Sequence, residues 1–313
     1  MKISILTLNP CIDRALYLGR SVTPGDIHRV ERSVTNVAGK GLNQAIVLEN
    51  LGTLCDYLSF GSPEADEVDR ALARHAFAYH KTVAACGVRT NIKIIDGASV
   101  GTEFNEAGGP ITEQELGAML QTLDALPSDV LSVCGSVPRG IDKSIYREIV
   151  RSAKQKGQIV ALDADGDALR YGLEGRPDLI KPNRRELAGL FGLAERELDS
   201  DDKVIELARR VYESYGTTVL CTLDADGSLC VGKGGILRVG TPKTELRGFA
   251  GAGDTYLAAY LYATYIEGKN APEALSFASR AAAAKIALEG SELPKRADID
   301  AVEEAPVRQI GLL

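Results

Sequence analysis

Residues 248–263 read Gly-Phe-Ala-Gly-Ala-Gly-Asp-Thr-Tyr-Leu-Ala-Ala-Tyr-Leu-Tyr-Ala, and this stretch is the most informative in the chain. Three small residues, Gly251, Ala252 and Gly253, precede the apolar run of a predicted helix. Without bulky side chains, the backbone N–H groups can turn toward an anion, and the helix dipole favours negative charge at that end. The pattern therefore predicts a phosphate cradle at the start of a helix.

Asp254 lies inside this predicted cradle, where its carboxylate would repel a phosphate. A carboxylate in that position suits a general base, which takes a proton from an attacking hydroxyl. A helix N-cap that follows a glycine turn is the alternative interpretation. Both remain open on this segment alone, and the choice depends on the other segments of the chain.

The composition predicts a globular protein with small-molecule partners. The 313 residues are 45% hydrophobic and 25% charged, which is enough to bury the core of one large domain or of a domain with an appendage. A net charge of −7 and the lack of tryptophan argue against nucleic acid and anionic membranes as partners. An anionic substrate must therefore be held by local cations.

The six cysteines are scattered, without a C-x-x-C pair and without histidines at metal-ligand spacing. They are predicted to be small buried hydrophobic side chains in a reducing compartment. The apolar run at the N-terminus is too short for a signal peptide, and the stretch 255–266 is too short to span a bilayer. We therefore expect a cytoplasmic protein.

Short apolar runs and helical patterns alternate along the chain. The predicted strands are 2–8, 54–60, 130–134, 158–163, 178–181 and 218–223. The predicted helices are 41–51, 67–78, 112–123, 142–156, 202–215, 252–266 and 272–288, the third with a capping box and the fourth with an aspartate N-cap. This alternation predicts an α/β fold with a mostly parallel sheet covered on both faces.

Two β-rich stretches, 14–34 and 87–105, interrupt the alternation. The second contains Asp96-Gly97, a hairpin signal, between the predicted strands 91–95 and 100–104. We expect both stretches to form a small accessory sheet inserted into one α/β domain that spans residues 1–313.

Ligands of open α/β sheets bind beyond the carboxyl ends of the strands, so the residues that follow each apolar run are candidates for a site. Asp13 follows the first strand, and Gly39, Lys40 and Asn43 lie around the start of the first helix. Glycine allows a close approach of the backbone, and lysine supplies a point charge. In isolation, Asp13 could also cap a turn and the Gly-Lys-Gly segment could be a solvated turn.

Lys181 begins a segment in which Asn183 and Glu186 share one helix face at i, i+3. Two oxygen donors placed in this way can hold a hydrated Mg²⁺, which prefers few protein ligands and several waters. An ordinary helix start is the alternative. The segment 227–234 approaches a phosphate-binding P-loop but lacks its Ser or Thr and contains a strand-like run, so we interpret it as a strand and a turn.

Seven motifs follow one another along the chain: N-P-x-x-D (9–13), G-K-G-x-N (39–43), V-R-T-N-I-K-I (88–94), G-S-V-P-R-G (135–140), K-P-N-R-R-E (181–186), T-L-D-A-D-G (222–227) and G-A-G-D (251–254). In this order they resemble the ribokinase (PfkB) family of sugar kinases, over roughly residues 2–290. The branch of 1-phosphofructokinase and tagatose-6-phosphate kinase is the more similar one, through 7–13, 89–93 and 102–106. The resemblance implies a ribokinase-like three-layer α/β/α core with an inserted β lid.

The resemblance also implies roles for individual residues. Asp254 would be the catalytic base, and the backbone of Gly251, Ala252 and Gly253 would stabilise the transferring phosphoryl group. Further roles are implied as follows: Asn183 and Glu186 would hold Mg²⁺ through water, Asp13, Gly39 and Asn43 would bind sugar hydroxyls, Lys40 and Arg89 would grip the phosphate on the substrate, and Lys181, Thr222 and Gly227 would lie along ATP.

The implied activity is ATP-dependent phosphorylation of a ketohexose monophosphate, with fructose 1-phosphate converted to fructose 1,6-bisphosphate. A tagatose-6-phosphate kinase, a kinase of an unphosphorylated sugar and a non-catalytic sugar-phosphate sensor are the alternatives. The lids of two subunits often pair in this family, which implies a homodimer. The chain departs from the family pattern at Asp224 and Ala38, where glycine is usual, and in the segments 61–64 and 76–86.

Overall fold

A computed structural model describes residues 1–64, 66–96, 102–248 and 250–313. Its strands are β1 (Ile3–Thr7), β2 (Cys11–Leu18), β3 (Val30–Ala38), β4 (Asp56–Gly61), β5 (Ala78–Val83), β6 (Arg89–Asp96), β7 (Thr102–Asn105), β8 (Val130–Cys134), β9 (Ile159–Asp163), β10 (Leu179–Ile180), β11 (Thr218–Thr222), β12 (Ser228–Gly232), β13 (Gly235–Val239) and β14 (Val307–Gly311). Its helices are α1 (Lys40–Asn50), α2 (Glu67–Leu72), α3 (Glu113–Ala125), α4 (Ile145–Gln155), α5 (Gly166–Glu174), α6 (Arg184–Leu190), α7 (Asp201–Tyr215), α8 (Ala252–Tyr265), α9 (Ala271–Ile286) and α10 (Arg296–Asp300). None of the helices in these ranges is long and apolar enough to cross a membrane.

Ten strands form the central sheet in the order β14-β13-β12-β11-β10-β9-β8-β1-β4-β5. From β5 to β11 all neighbours are parallel, and β12, β13 and β14 continue the sheet antiparallel. One buried cluster packs α1, α8 and α9 on the sheet, and a second packs α4, α5, α6 and α7. The predicted three-layer α/β/α fold with a mostly parallel sheet is therefore confirmed.

The helix predicted over 67–78 is wrong in its second half, because α2 ends at Leu72 and β5 begins at Ala78. Strand β5 pairs with β4 along its whole length. In this arrangement Phe77 and Tyr79 pack against Tyr57, with ring centroids 6.0 and 5.7 Å away. Packing at the sheet edge has overridden a local helical pattern.

The helix predicted from Asp142 begins later, at Ile145. The Asp142 carboxylate accepts a hydrogen bond from the Ser144 N–H at 2.8 Å, so it closes a turn before the helix instead of capping the helix itself. The capping box of Thr112 and Glu115 is present as predicted.

A second sheet of four strands has the order β3-β2-β6-β7, and we call it the small sheet. It comes from the two β-rich stretches, but its strands begin earlier and end later than predicted, at Cys11 and Ala38. Strands β6 and β7 are antiparallel, as the hairpin signal predicted, with Ile92 opposite Phe104. The predicted turn at Gly97 and the predicted strand start at Val100 lie outside the described residues.

The topology fixes where a ligand can bind. From β1 the strand order runs through β4 to β5 in one direction and through β8 to β11 in the other, so the order reverses between β1 and β8. The loops after β1 and β8 therefore separate at this point and leave a crevice at the carboxyl edge of the sheet. Asn9 and Ser136 meet across it, with Asn9 Nδ2 donating to Ser136 Oγ at 2.9 Å.

Candidate active site

The predicted phosphate cradle is a tight turn that begins α8. Gly251 has φ +87° and precedes the first helical residue, and a Cβ there would lie 3.3 Å from Asn43 Nδ2. A Cβ on Gly253 would lie 3.1 Å from Lys181 Nζ. The positive φ favours glycine at Gly251, a side chain at Gly253 would crowd Lys181, and the helix N-terminus behind them favours an anion.

Asp254 lies in the first turn of α8 and is 9% exposed. Its Oδ2 accepts a hydrogen bond from Asn43 Nδ2 at 2.7 Å, which joins the first turns of α8 and α1. Burial and the nearby Asp163 carboxylate raise the pKa of Asp254, while Lys40 and Lys181 act in the opposite direction. A carboxylate with one oriented oxygen and a raised pKa is suited to accept a proton.

Asp163, the last residue of β9, joins two lysines beneath the turn. Its side chain is 0% exposed, and its two oxygens lie 2.7 Å from Lys40 Nζ and 3.3 Å from Lys181 Nζ. Burial alone would raise the pKa of Asp163, but the two ammoniums lower it. Burial likewise opposes the charge on Lys40, yet Asp163, Glu186 and Asp254 raise its pKa. These carboxylates keep Lys40 charged next to Asp254.

Gly39 leads directly into this cluster, since it is the residue before α1 and has φ +126°. The left-handed backbone at Gly39 turns the chain from the small sheet into the helix. Lys40 thereby becomes the first residue of α1, and Asn43 follows one turn later.

Asn183 and Glu186 form a capping box at the start of α6. Asn183 Oδ1 accepts from the Glu186 N–H at 2.8 Å, and Glu186 Oε2 accepts from the Asn183 N–H at 2.9 Å. A capping box of this kind is an ordinary helix start, which was the alternative to a magnesium site for these two residues. The second Glu186 oxygen, Oε1, lies 3.8 Å from Lys40 Nζ and is left for another partner.

Asp13 lies on β2 and faces a lysine of the small sheet. Its Oδ2 is 2.7 Å from Lys93 Nζ, and its Oδ1 accepts from Asn91 Nδ2 at 3.0 Å. Sequence reasoning did not single out Lys93 and Asn91, which contact Asp13. A usable signal was present, because Arg89, Asn91 and Lys93 alternate along β6 and therefore share one face.

Arg89 lies at the start of β6, beside the crevice between β1 and β8. Its Nη1 donates to Asn91 Oδ1 at 3.2 Å and to the Glu106 carbonyl at 2.7 Å, and its Nε donates to the Asn9 carbonyl at 3.4 Å. Because Asn9 also binds Ser136, the guanidinium and the Ser136 hydroxyl border the same crevice.

Thr222 and Gly227 lie at the end of β11 and in the turn after it. The Thr222 N–H donates to the Pro182 carbonyl at 3.0 Å, next to the start of α6. A Cβ on Gly227 would lie 2.2 Å from the Val239 carbonyl oxygen, so glycine is required there for packing. Asp224, where the resemblance expects glycine, has φ +51° and is exposed.

Five of the predicted site residues meet through their side chains in one cluster at the carboxyl edge of the sheet. It joins Asp254, Asn43, Lys40, Lys181 and Glu186 through the contacts above, with Asp163 as the member that sequence reasoning missed. Arg89 and Asp13 contact a different set of residues, on the small sheet. Lys40 and Arg89 share none of the contacts described, and their joint grip on one phosphate stays a prediction.

A model of the pfkB family of carbohydrate kinases matches residues 6–297. The chain belongs to this family. It is accordingly an ATP-dependent sugar kinase, and the turn with Asp254 lies within the matched range.

Proteins similar to this kinase include the 1-phosphofructokinases of Haemophilus influenzae and Rhodobacter capsulatus. The first is 30% identical over 284 residues, with 89% of this chain and 88% of the relative covered, and the second is 32% identical over 273 residues, with 84% of each covered. Among solved structures, phosphofructokinase-2 from Escherichia coli with substrates and products has a TM-score of 0.87 at 24% identity and covers 96% of this chain and 98% of its own. Ribokinase from Thermotoga maritima has a TM-score of 0.75 at 22% identity and covers 96% and 98%. The structural likeness confirms the ribokinase-like fold.

Proposed function

We propose that this kinase transfers the γ-phosphoryl group of ATP to a ketohexose monophosphate, and that fructose 1-phosphate is the preferred acceptor, giving fructose 1,6-bisphosphate. The observation that carries the reaction type is the buried Asp254 at the N-terminus of α8, oriented by Asn43. The choice of acceptor is supported by the relatives, which are named 1-phosphofructokinases.

In this proposal Asp254 removes the proton of the attacking sugar hydroxyl. Its raised pKa increases its affinity for that proton, and the Asn43 amide fixes one oxygen so that the other faces the acceptor. Positioning of ATP and the acceptor contributes the larger part of the rate enhancement, because phosphoryl transfer requires little covalent chemistry from the protein.

The glycine turn and the two lysines stabilise the charge that develops on the transferring group. The N–H groups of residues 251–253 lie at the N-terminal end of α8, and Lys181 Nζ lies beside Gly253. Lys40 approaches from α1, and Asp163 holds both ammoniums in place. Thr222 and Gly227, at the neighbouring strand end, would border the nucleotide.

A magnesium ion fits the charge balance of this cluster. Lys40 and Lys181 contribute two positive charges against three carboxylates, those of Asp163, Asp254 and Glu186. Glu186 Oε1 would hold the hydrated ion, while Asn183 contributes by capping α6 and fixing Glu186. When bound, the ion would neutralise charge on the phosphates of ATP.

The phosphate already present on the acceptor would bind Arg89 in the crevice between β1 and β8. Arginine donates two hydrogen bonds to a phosphate, and the Ser136 hydroxyl is a further donor nearby. Asp13 would accept from a sugar hydroxyl on the same side. Because Lys40 belongs to the ion cluster at Asp163, we propose that it acts on the transferring phosphate more than on that of the acceptor.

The proposal is tested by an acceptor screen with ATP, Mg²⁺ and one of five acceptors: fructose 1-phosphate, tagatose 6-phosphate, fructose 6-phosphate, fructose and ribose. We expect the highest kcat/KM with fructose 1-phosphate and a product phosphorylated at the 6-hydroxyl, which ³¹P NMR identifies. A faster reaction with free fructose or ribose would contradict the role of Arg89. Absence of turnover with every acceptor would favour a sugar-phosphate sensor.

We also propose that the whole chain is one kinase domain and that the small sheet closes over the acceptor. The outer face of the small sheet is apolar, and we propose that it pairs with a second copy of the chain. A shallow cavity of about 160 Å³ on this sheet is lined by Leu16, Leu18 and Ile94, and Phe104 is 57% exposed. An exposed apolar patch of this kind favours a protein partner. Sedimentation analysis should give a dimer that Phe104→Asp weakens, and a monomeric wild type would refute the pairing.

A further inference from the structure

Lys285 is a buried lysine that none of the roles above uses. It lies near the end of α9 and is 0% exposed, and its Nζ donates a hydrogen bond to the Gly290 carbonyl at 3.0 Å. Among the described residues, no carboxylate lies within ion-pair distance of this ammonium, whereas Lys181, which is also buried, lies 3.3 Å from Asp163. A buried ammonium without an anionic partner is costly, so its presence in an alanine-rich helix needs an explanation.

The side chain of Lys285 borders the glycine turn that begins α8. Its Cε lies 3.7 Å from the point that a Cβ on Gly251 would occupy, and Asn43 Nδ2 lies 3.3 Å from the same point. Asn43 in turn donates to Asp254. The lysine is therefore a neighbour of the phosphate cradle, separated from the catalytic carboxylate by a single side chain.

The electrostatic surroundings of Lys285 extend toward the small sheet. Burial lowers the pKa of Lys285, Glu292 raises it and Lys93 lowers it further. Lys93 is the residue that pairs with Asp13 on the acceptor side. Lys285 is therefore near enough to Lys93 for the two positive charges to repel each other.

We propose that Lys285 is a positioning residue of the phosphoryl-transfer site, whose fixed positive charge lies behind the glycine turn and supports the binding of phosphate by that turn. This inference rests on the proposed function. Glu292 lies too far away to form an ion pair with Lys285, so a phosphate in the cradle would supply negative charge that this ammonium lacks at close range. The competing explanation is structural: Lys285 merely ties α9 to the loop at Gly290 through one hydrogen bond.

Two substitutions separate these explanations. Lys285→Gln keeps a donor for the Gly290 carbonyl but removes the charge, and Lys285→Met removes both. If the charge matters, kcat falls by about tenfold or more in both variants, less than for loss of a donor that touches the phosphate directly. If only the hydrogen bond matters, the Gln variant retains the wild-type kcat and the Met variant alone is impaired, which would overturn the proposal.

Rescue by a small cation gives an independent readout. In Lys285→Ala, added propylammonium should restore part of the lost kcat, whereas propanol, which has a similar size and no charge, should not. Equal effects of the two compounds would also overturn the proposal. Lys233→Gln, at an exposed lysine, is the matched control and should behave as wild type. Inactive wild-type protein would instead count against the proposed function.

Discussion

Asp163→Asn removes the shared negative charge from the centre of the ion cluster and leaves its shape nearly unchanged. In the wild type this carboxylate is 0% exposed and contacts Lys40 Nζ at 2.7 Å and Lys181 Nζ at 3.3 Å. In the variant two ammoniums face a neutral amide. Removing one partner of a buried ion pair costs about 3–5 kcal/mol. We expect the lower end, about 3 kcal/mol, because Lys40 is 32% exposed and water can relieve its charge.

A loss of about 3 kcal/mol should lower the melting temperature by roughly 6 °C, at about 2 °C per kcal/mol for a chain of this length. The ammoniums of Lys40 and Lys181 should also move when they lose the carboxylate that holds both. A displacement of about 1 Å at the phosphoryl-transfer site lowers kcat by roughly 10²-fold. Thermal melts and initial rates of ADP formation measure the two effects on the same preparations.

The pH dependence of stability gives a further check. The pKa of Asp163 is lower in the folded state than in the unfolded chain, so its stabilisation is fully present above about pH 4 and is lost as the pH falls toward the folded-state value. The melting temperatures of wild type and Asp163→Asn should therefore converge in acid.

Asp167→Asn is the matched control, because Asp167 also pairs with two cations but is 51% exposed. Solvent screens an exposed pair, so this variant should keep the stability and rate of the wild type. Equal effects of the Asp163 and Asp167 substitutions would refute the reasoning. So would an Asp163→Asn protein with wild-type stability and kcat.

Three further predictions follow from the site and its surroundings. Arg89→Ala should raise KM for the sugar phosphate by about tenfold or more and leave KM for ATP nearly unchanged, since a charge-assisted hydrogen bond contributes about 1.5–3 kcal/mol; equal changes in both constants would contradict the acceptor role. Glu186→Gln should raise the Mg²⁺ concentration at half-maximal rate, and an unchanged metal titration would exclude that role. Asp224→Val should lower the free energy of unfolding by about 1–2 kcal/mol and Asp224→Gly should not, because φ is +51° at this position; urea unfolding compares the two.

The order of strands and helices was predictable because hydrophobic periodicity is a local property. Six predicted strands and the β6–β7 hairpin are present, while β5, β13 and β14 were missed. Strand β5 was missed because its place is decided by packing of Phe77 and Tyr79 on Tyr57, residues about 20 positions away. Strand β14 pairs with β13 across a gap of about 70 residues, which no local pattern reveals.

The site was predictable where a motif carries its chemistry in adjacent residues, as in the glycine turn with Asp254. It was not predictable where the partner is distant in sequence. Asp163 ends β9 as the first of three aspartates in an Asp-Ala-Asp-Gly-Asp run, so the sequence does not distinguish it. Its two lysines lie 123 residues before it and 18 residues after it. The burial of Lys285 was even harder to predict, because a lysine in a helix is expected to be exposed. It is the fold that buries this side chain beside Gly251.

The central claim, that Asp254 is the base for phosphoryl transfer to a sugar phosphate, is tested most directly by the steady-state kinetics of Asp254→Asn with ATP and fructose 1-phosphate. The amide keeps the size of the side chain but cannot accept the proton of the acceptor hydroxyl. We predict a kcat lower by about 10²–10⁴-fold with both KM values nearly unchanged. A variant that retains half of the wild-type kcat would contradict the account.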